Sequence, residues 1–182
     1  MKDSIYIGVI GSGDGVSDDV LNIAERVGIE IAKADAILVC GGRFGVMEAA
    51  CRGAKSAGGL TVGILPGLSR NDANDFVDVA IPTGLGYALR NFITVRSSDA
   101  IIMLHGEIGT LSEVVFSYQH AVPVVSLENT GGWAKRLKDT ALEDGAYLDT
   151  RQIMKVQYAR EPKIAVQMAI ESVGTLKKPD KI

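Results

Sequence analysis

The sequence predicts an α/β fold, a single doubly wound and mostly parallel sheet with helices on both faces. Three observations carry that expectation. Short apolar runs alternate with amphipathic segments along the whole chain. The runs are continuous rather than alternating, as in Ala100-Ile-Ile-Met-Leu104, the pattern of a strand buried on both faces. Three of them pass directly into glycine-rich turns, Gly11–Gly15, Gly41–Gly45 and Gly106–Gly109, before a helix begins.

The elements follow in order. Ile5–Ile10 is the first buried strand, and Ser17-Asp-Asp then opens a helix with N-cap chemistry. Val20, Ile23, Ala24, Val27 and Ile31 give that helix its apolar stripe. Ala36–Cys40 is the second strand, followed by a small-residue helix from Val46. Leu60–Leu65 is the third strand, closed by Pro66-Gly67. Ser69–Asp75 is polar, without period, and reads as an exposed loop able to overhang a site. Phe76–Ile81 alternates as a short strand, and a helix runs from about Tyr87 to Ser97 with Arg90 and Arg96 on it. After Ala100–Leu104 comes a helix from Thr110, then a strand at Pro123–Leu127 and a helix opening at Thr130-Gly-Gly-Trp. Ile153–Gln157 reads as an edge strand, and Glu161-Pro162 starts the last helix with proline at a favoured position. One domain over 1–175 is expected, with 176–182 a frayed tail.

Composition removes several function classes. The 182 residues suffice for one well-buried domain, and the net charge of −3 argues against a nucleic-acid surface. The N-terminal apolar run is too short for a signal peptide or a membrane span, so a soluble, cytoplasmic chain is expected. Cys40 and Cys51 form no Cys-x-x-Cys pair, and with His105 and His120 they show no metal-ligand spacing. Buried, reduced thiols are expected, and neither a metal nor a resident cofactor. Gly11, Gly13 and Gly15 miss the Gly-x-Gly-x-x-Gly spacing, and no acidic residue ends the second strand, which disfavours a dinucleotide site.

What remains is anion chemistry. A strand that turns through glycines into a helix leaves N–H groups unpaired at the positive end of the helix dipole, a seat for phosphate. Without Cβ atoms the turn admits an anion closely, and Thr110 adds a hydroxyl. In a doubly wound sheet all three glycine turns lie at the C-terminal strand edge, where such sheets bind ligands. Glu113 has two readings here: a carboxylate at the site, or the capping-box partner of Thr110 in the first turn.

Cys40-Gly-Gly-Arg-Phe-Gly-Val-Met-Glu-Ala-Ala50 resembles the Gly-Gly-Gly-x-x-Gly-Leu-Met-Gly-x-x-Ala motif of the Lonely Guy proteins, long mislabelled lysine decarboxylases. His105-Gly-Glu-Ile-Gly-Thr-Leu-Ser-Glu113 resembles their Pro-Gly-Gly-x-Gly-Thr-x-x-Glu motif, and Leu89-Arg-Asn91 falls where that family has an Arg-Lys pair. The resemblance, over Ile5 to Pro123, implies cleavage of a nucleoside 5′-monophosphate to a free base and ribose 5-phosphate. It also implies at least a homodimer. Glu113 would stabilise the oxocarbenium-like ribosyl species and orient water, and Arg90 would position the substrate. Nothing resembles a pyridoxal-phosphate site.

Five positions depart from those motifs: His105 for proline, Glu107 for the second glycine, Cys40 for a glycine, Glu48 for a glycine and Asn91 for lysine. Gly-Glu-Ile-Gly-Thr, with Thr130-Gly-Gly-Trp133, resembles a side branch that includes molybdenum-cofactor carrier proteins, which bind a phosphate-bearing pterin. Two functions therefore stand, a hydrolase acting on a nucleoside monophosphate and a non-catalytic carrier of a phosphorylated pterin, with a nucleotide sensor as a third class. The candidate set is Glu113 and Arg90 as catalytic residues. Gly11, Ser12, Gly41, Gly42, Arg43, Gly45, Arg96, Gly106, Gly109 and Thr110 are the ligand contacts. Arg96 divides evenly between site and structural ion pair, and Trp133 between stacking and packing. Met47 and His120 read as structural.

Overall fold

The first strand stands at the centre of the sheet. In the computed structural model, which describes residues 4–175, β1 (Tyr6–Gly11) pairs in parallel with β2 (Ile37–Cys40) on one side and β5 (Ala100–Leu104) on the other. From β2 the sheet continues through β3 (Thr61–Leu65) to β4 (Val79–Pro82), and from β5 through β6 (Val124–Leu127) to β7 (Val156–Ala159). The order β4-β3-β2-β1-β5-β6-β7 comprises seven strands among the described residues, and each neighbouring pair is parallel. The chain thus winds outward to β4, then crosses back to start again beside β1. That reversal, between β1 and β5, opens a crevice beyond their C-terminal ends.

The helices divide by face. α1 (Asp18–Lys33), α2 (Val46–Ser56) and α7 (Pro162–Thr175) supply Val20, Ala24, Val27, Ala50 and Val166 to one apolar cluster. α3 (Gly86–Arg96), α4 (Ile108–Gln119) and α5 (Gly132–Thr140) supply Val95, Val114, Tyr118, Ala134 and Leu137 to the other. A single turn, α6 (Leu142–Gly145), leads toward β7. The strands between are sealed, with all of Ala100–Leu104 at 0% exposure, which is why they read as unbroken apolar runs. No helix among the described residues is long and apolar enough to cross a membrane. The tail expected to fray lies outside the described residues.

α1 and α2 meet through glycine. A Cβ on Gly28 would stand 1.9 Å from the Ala50 carbonyl oxygen, and one on Gly53 1.9 Å from that of Glu25. Both obstacles are backbone, so neither can swing aside. Gly28→Ala is therefore expected to destabilise the fold by about 2 kcal/mol or more, although alanine is the better helix former by about 1 kcal/mol. Urea denaturation checks it, and an unchanged midpoint would show that the two helices separate at no cost.

Two strands sit later than the sequence suggests. β4 begins at Val79 rather than Phe76 because the Asp78 carboxylate takes the Thr61 N–H (3.0 Å) and Thr61 Oγ1 donates to the Phe76 carbonyl (2.7 Å). Those side-chain bonds use the backbone before the ladder starts. β7 begins at Val156 rather than Ile153. Ile153 donates its N–H to the Tyr118 hydroxyl (3.2 Å) and packs with Met154 against the second core. The helix expected from Thr130 begins at Gly132, with Thr130 in a short 3-10 turn.

Candidate functional site

The crevice between β1 and β5 holds a cavity of about 400 Å³. Gly11, Ser12, Gly13 and Asp14 line it from the turn after β1, Arg43, Phe44 and Met47 from the turn after β2 and the start of α2. Tyr87, Arg90 and Asn91 line it from α3, and Glu107, Gly109, Thr110 and Glu113 from the start of α4.

α4 presents its N-terminus to this space. Its N-cap is Glu107, and the Leu111 N–H makes the first helical bond, to the Glu107 carbonyl at 3.0 Å. The N–H groups of Ile108, Gly109 and Thr110 precede that bond and are the ones a helix leaves open. Thr110 is therefore inside the helix, and no side chain caps it. The capping-box reading of Thr110 and Glu113 falls, and Glu113 belongs to the second turn.

The turn before α4 is held from behind. His105 adopts φ 54°, its N–H donates to Thr130 Oγ1 (2.7 Å), and its carbonyl accepts from the Ala134 N–H (2.8 Å). The Trp133 N–H donates to the Gly106 carbonyl at 2.9 Å, while the indole packs against the second core. A Cβ on Gly132 would lie 2.6 Å from that same carbonyl, so glycine is needed for α5 to approach. Thr130-Gly-Gly-Trp thus supports the turn and does not line the cavity. Ser12 Oγ hydrogen bonds with His105 Nδ1 at 3.0 Å, tying the β1 turn to the β5 turn.

Arg90 is the unusual group. Its side chain is 6% exposed and makes neither a hydrogen bond nor a salt bridge among the described residues, and its Nε is sealed without a partner. The guanidinium lies 5.7 Å from the Tyr87 ring centroid. It fits only because residue 41 is glycine, since a Cβ there would stand 1.6 Å from Arg90 Nη1. Burying a guanidinium without a counter-charge is expensive, and a site for an anion explains it.

Glu113 lies near this cation without pairing with it. Burial pushes its carboxyl up to about 8, against the pull of Arg90 and with a smaller push from Cys40. Burial thus favours its protonated form. The remaining charges lining the cavity are Arg43 and Arg90 against Asp14 and Glu107, and neither carboxylate is ion-paired among the described residues. Cys40 and Cys51 are buried free thiols with sulfurs 3.5 Å apart. The Cys51 hydrogen bond, then the Gly42 N–H and Arg90, hold the Cys40 thiol below its usual range against burial.

Of the sequence candidates, Gly11, Ser12, Arg43, Arg90, Gly109, Thr110 and Glu113 come together around the cavity. Gly41, Gly42, Gly45 and Gly106 stand behind it. Gly41 clears room for Arg90, Gly42 and Gly45 take positive φ against Leu65 and the Ser12 carbonyl, and Gly106 faces the Thr110 side chain. Arg96 is exposed in the last turn of α3, away from the cavity, so the site half of its reading is withdrawn. Met47 belongs to the core and also reaches the cavity. The Ser69–Asp75 loop does not overhang the cavity. Its Asn74 braces the β2 turn, with N–H to the Gly42 carbonyl (2.9 Å) and Nδ2 to the Arg43 carbonyl (2.7 Å). Asp14, Phe44, Tyr87 and Asn91 were not foreseen as site residues. Tyr87 and Asn91 stand four apart on α3, on either side of Arg90 in sequence, a spacing that puts both on one helix face.

The profile of the SLOG cluster4 family matches residues 4–166. The chain belongs to that family. Its SLOG cluster4 fold superposes on the structural genomics target TM1055 with a TM-score of 0.85 at 34% identity, over 92% of this chain and 99% of that one. The molybdenum cofactor binding protein of Rippkaea orientalis superposes with a TM-score of 0.79 at 36% identity, over 96% and 100% of the two chains. For the molybdenum cofactor carrier protein of Chlamydomonas reinhardtii the values are 0.77 and 33%, over 94% and 99%. A protein of Archaeoglobus fulgidus is 47% identical over 68% of this chain and 80% of its own. The cytokinin riboside 5′-monophosphate phosphoribohydrolase of Mycobacterium tuberculosis is 31% identical over 67% of this chain and 73% of its own.

Proposed function

We propose that this chain binds a phosphorylated ligand in the cavity beyond β1 and β5 and acts as a carrier of a phosphorylated pterin of the molybdenum-cofactor type. The observation that carries the anion site is Arg90, a guanidinium without a counter-charge among the described residues that lines the same cavity as the start of α4. The ligand's phosphate lies against Gly109, Thr110 and Arg90, with Arg43 at the mouth. Likeness to the carrier proteins over nearly their whole length supports a pterin as cargo.

A second reading is hydrolysis of a nucleoside 5′-monophosphate, favoured by the likeness to the mycobacterial phosphoribohydrolase and by Glu113 facing the cavity. There Glu113 gives up its proton before the glycosidic bond breaks, then stabilises the ribosyl cation and orients water. Arg90 holds the substrate.

Self-association belongs to the same proposal. Phe44, Leu89 and Ile108 are 52%, 57% and 74% exposed, all on the cavity wall or the helices that form it. A second copy covers them. Native mass spectrometry of purified protein tests ligand and assembly together. A dimer or larger mass carrying a co-purified pterin is expected. A nucleotide would favour the hydrolase, and a bare monomer after expression in cells that make the molybdenum cofactor would count against the carrier.

A further inference from the structure

The amide of Asn91 has a fixed orientation. One end lies 3.2 Å from the Gly109 carbonyl and 3.1 Å from Ser112 Oγ. Ser112 donates its own proton to that same carbonyl at 2.6 Å, so toward Asn91 its oxygen can only accept. Both neighbours are acceptors, and this end of the amide must be the NH₂. The other end is therefore Oδ1, for which no partner is found among the described residues. Arg90 Nε is the one side-chain atom there both sealed and unpartnered, so Oδ1 reaches accessible space. Asn91, 7% exposed, lines the cavity, and that is the space it reaches.

One turn earlier on the same helix face is Tyr87, a largely exposed residue that also lines the cavity. A flat apolar ring beside a fixed acceptor is the pairing that recognises an aromatic heterocycle by stacking and by one edge N–H. Arg90, between them in sequence, takes the opposite charge.

We propose that Tyr87 and Asn91 form a head-group subsite, selecting an aromatic heterocycle whose exocyclic amine donates to Asn91 Oδ1. It rests on the anion reading of the same cavity and adds which residues read the ligand head, and by which of its groups. A head that presents only acceptors at that edge is rejected, because it would leave two acceptors facing each other.

Calorimetric titration with five probes tests it. Ribose 5-phosphate reports the anion seat alone. Adenosine 5′-monophosphate against its N6,N6-dimethyl form, and a 6-substituted pterin monophosphate against its 2-dimethylamino form, report the amine. The wild type is expected to prefer one amino form over its dimethyl counterpart by about tenfold, and which pair responds tells purine from pterin. Asn91→Ala should bring that ratio to about one while ribose 5-phosphate binding stays within about twofold. A wild-type ratio near one, or a ratio that survives Asn91→Ala, overturns the subsite and leaves the anion seat standing. Loss of the ratio together with ribose 5-phosphate binding in Asn91→Ala makes Asn91 a structural brace and overturns it too. Ribose 5-phosphate failing on the wild type overturns the anion reading and the subsite with it. Should Asn91→Ala not fold, the wild-type ratios decide alone.

Discussion

Arg90→Met binds ribose 5-phosphate at least about 100-fold more weakly than the wild type, yet melts at the same temperature or higher. The two halves of that expectation have one cause. Arg90 is 6% exposed with no ion pair among the described residues, and its Nε is unsatisfied there, so the unliganded fold carries the cost of a buried, unbalanced cation. Methionine fills much of the volume without the charge, which relieves the fold. A phosphate would have supplied the missing balance through two charge-assisted hydrogen bonds of about 1.5 kcal/mol each, and about 3 kcal/mol corresponds to about 100-fold. Titration calorimetry and thermal melting read the two halves separately. A variant that binds normally moves the anion away from Arg90. A variant that melts well below the wild type makes Arg90 a packing residue instead.

Much of this arrangement was legible in the sequence because the physics there is local. Ala100–Leu104 is apolar throughout since both faces of a parallel strand are covered, and the glycine turns mark strand ends by composition alone. What could not be read is the division of labour among glycines. Gly109 and Gly41 look alike in sequence, but one lines the cavity and the other clears space for Arg90, a contact made across an interval of nearly fifty residues. The late starts of β4 and β7 hide for a similar reason. Asp78 and Tyr118 take backbone N–H groups that periodicity assigns to the ladder. Thr-x-x-Glu at Thr110–Glu113 misled because a capping box is a pattern of residues whose meaning depends on where the helix starts. Here it starts earlier, at Ile108.

Glu113→Gln carries the largest consequence for mechanism, and its sign follows from where the proton sits. Burial raises the carboxyl from an ordinary 4.5 to about 8 in the fold. Below pH 4.5 both the folded and the unfolded chain hold the proton, and ionisation costs the fold nothing. Between 4.5 and about 8 the unfolded chain releases it and the folded chain does not. Stability therefore falls as pH rises, by up to about 1.4 kcal/mol per pH unit, and levels off above 8. Glutamine has no such proton, so the melting temperature of Glu113→Gln should gain steadily on the wild type from pH 5 to pH 8 and hold its lead beyond. A difference that stays flat across that range would mean Glu113 ionises like an exposed carboxyl. The same proton decides between the two functions. A phosphoribohydrolase needs the carboxylate in the transition state, so release of free base from nucleoside 5′-monophosphates should climb through pH 8. The variant should then lose on the order of 10²-fold in turnover with little change in affinity. A carrier needs only a pocket without excess negative charge. Its phosphorylated ligand should bind the wild type less tightly above pH 8, where Glu113 ionises beside the anion, and bind the variant with no weakening through that range. Wild-type protein that releases no base at any pH, yet loses affinity through pH 8, is a carrier whose acidic residue stays neutral so that the phosphate can be the only anion Arg90 meets.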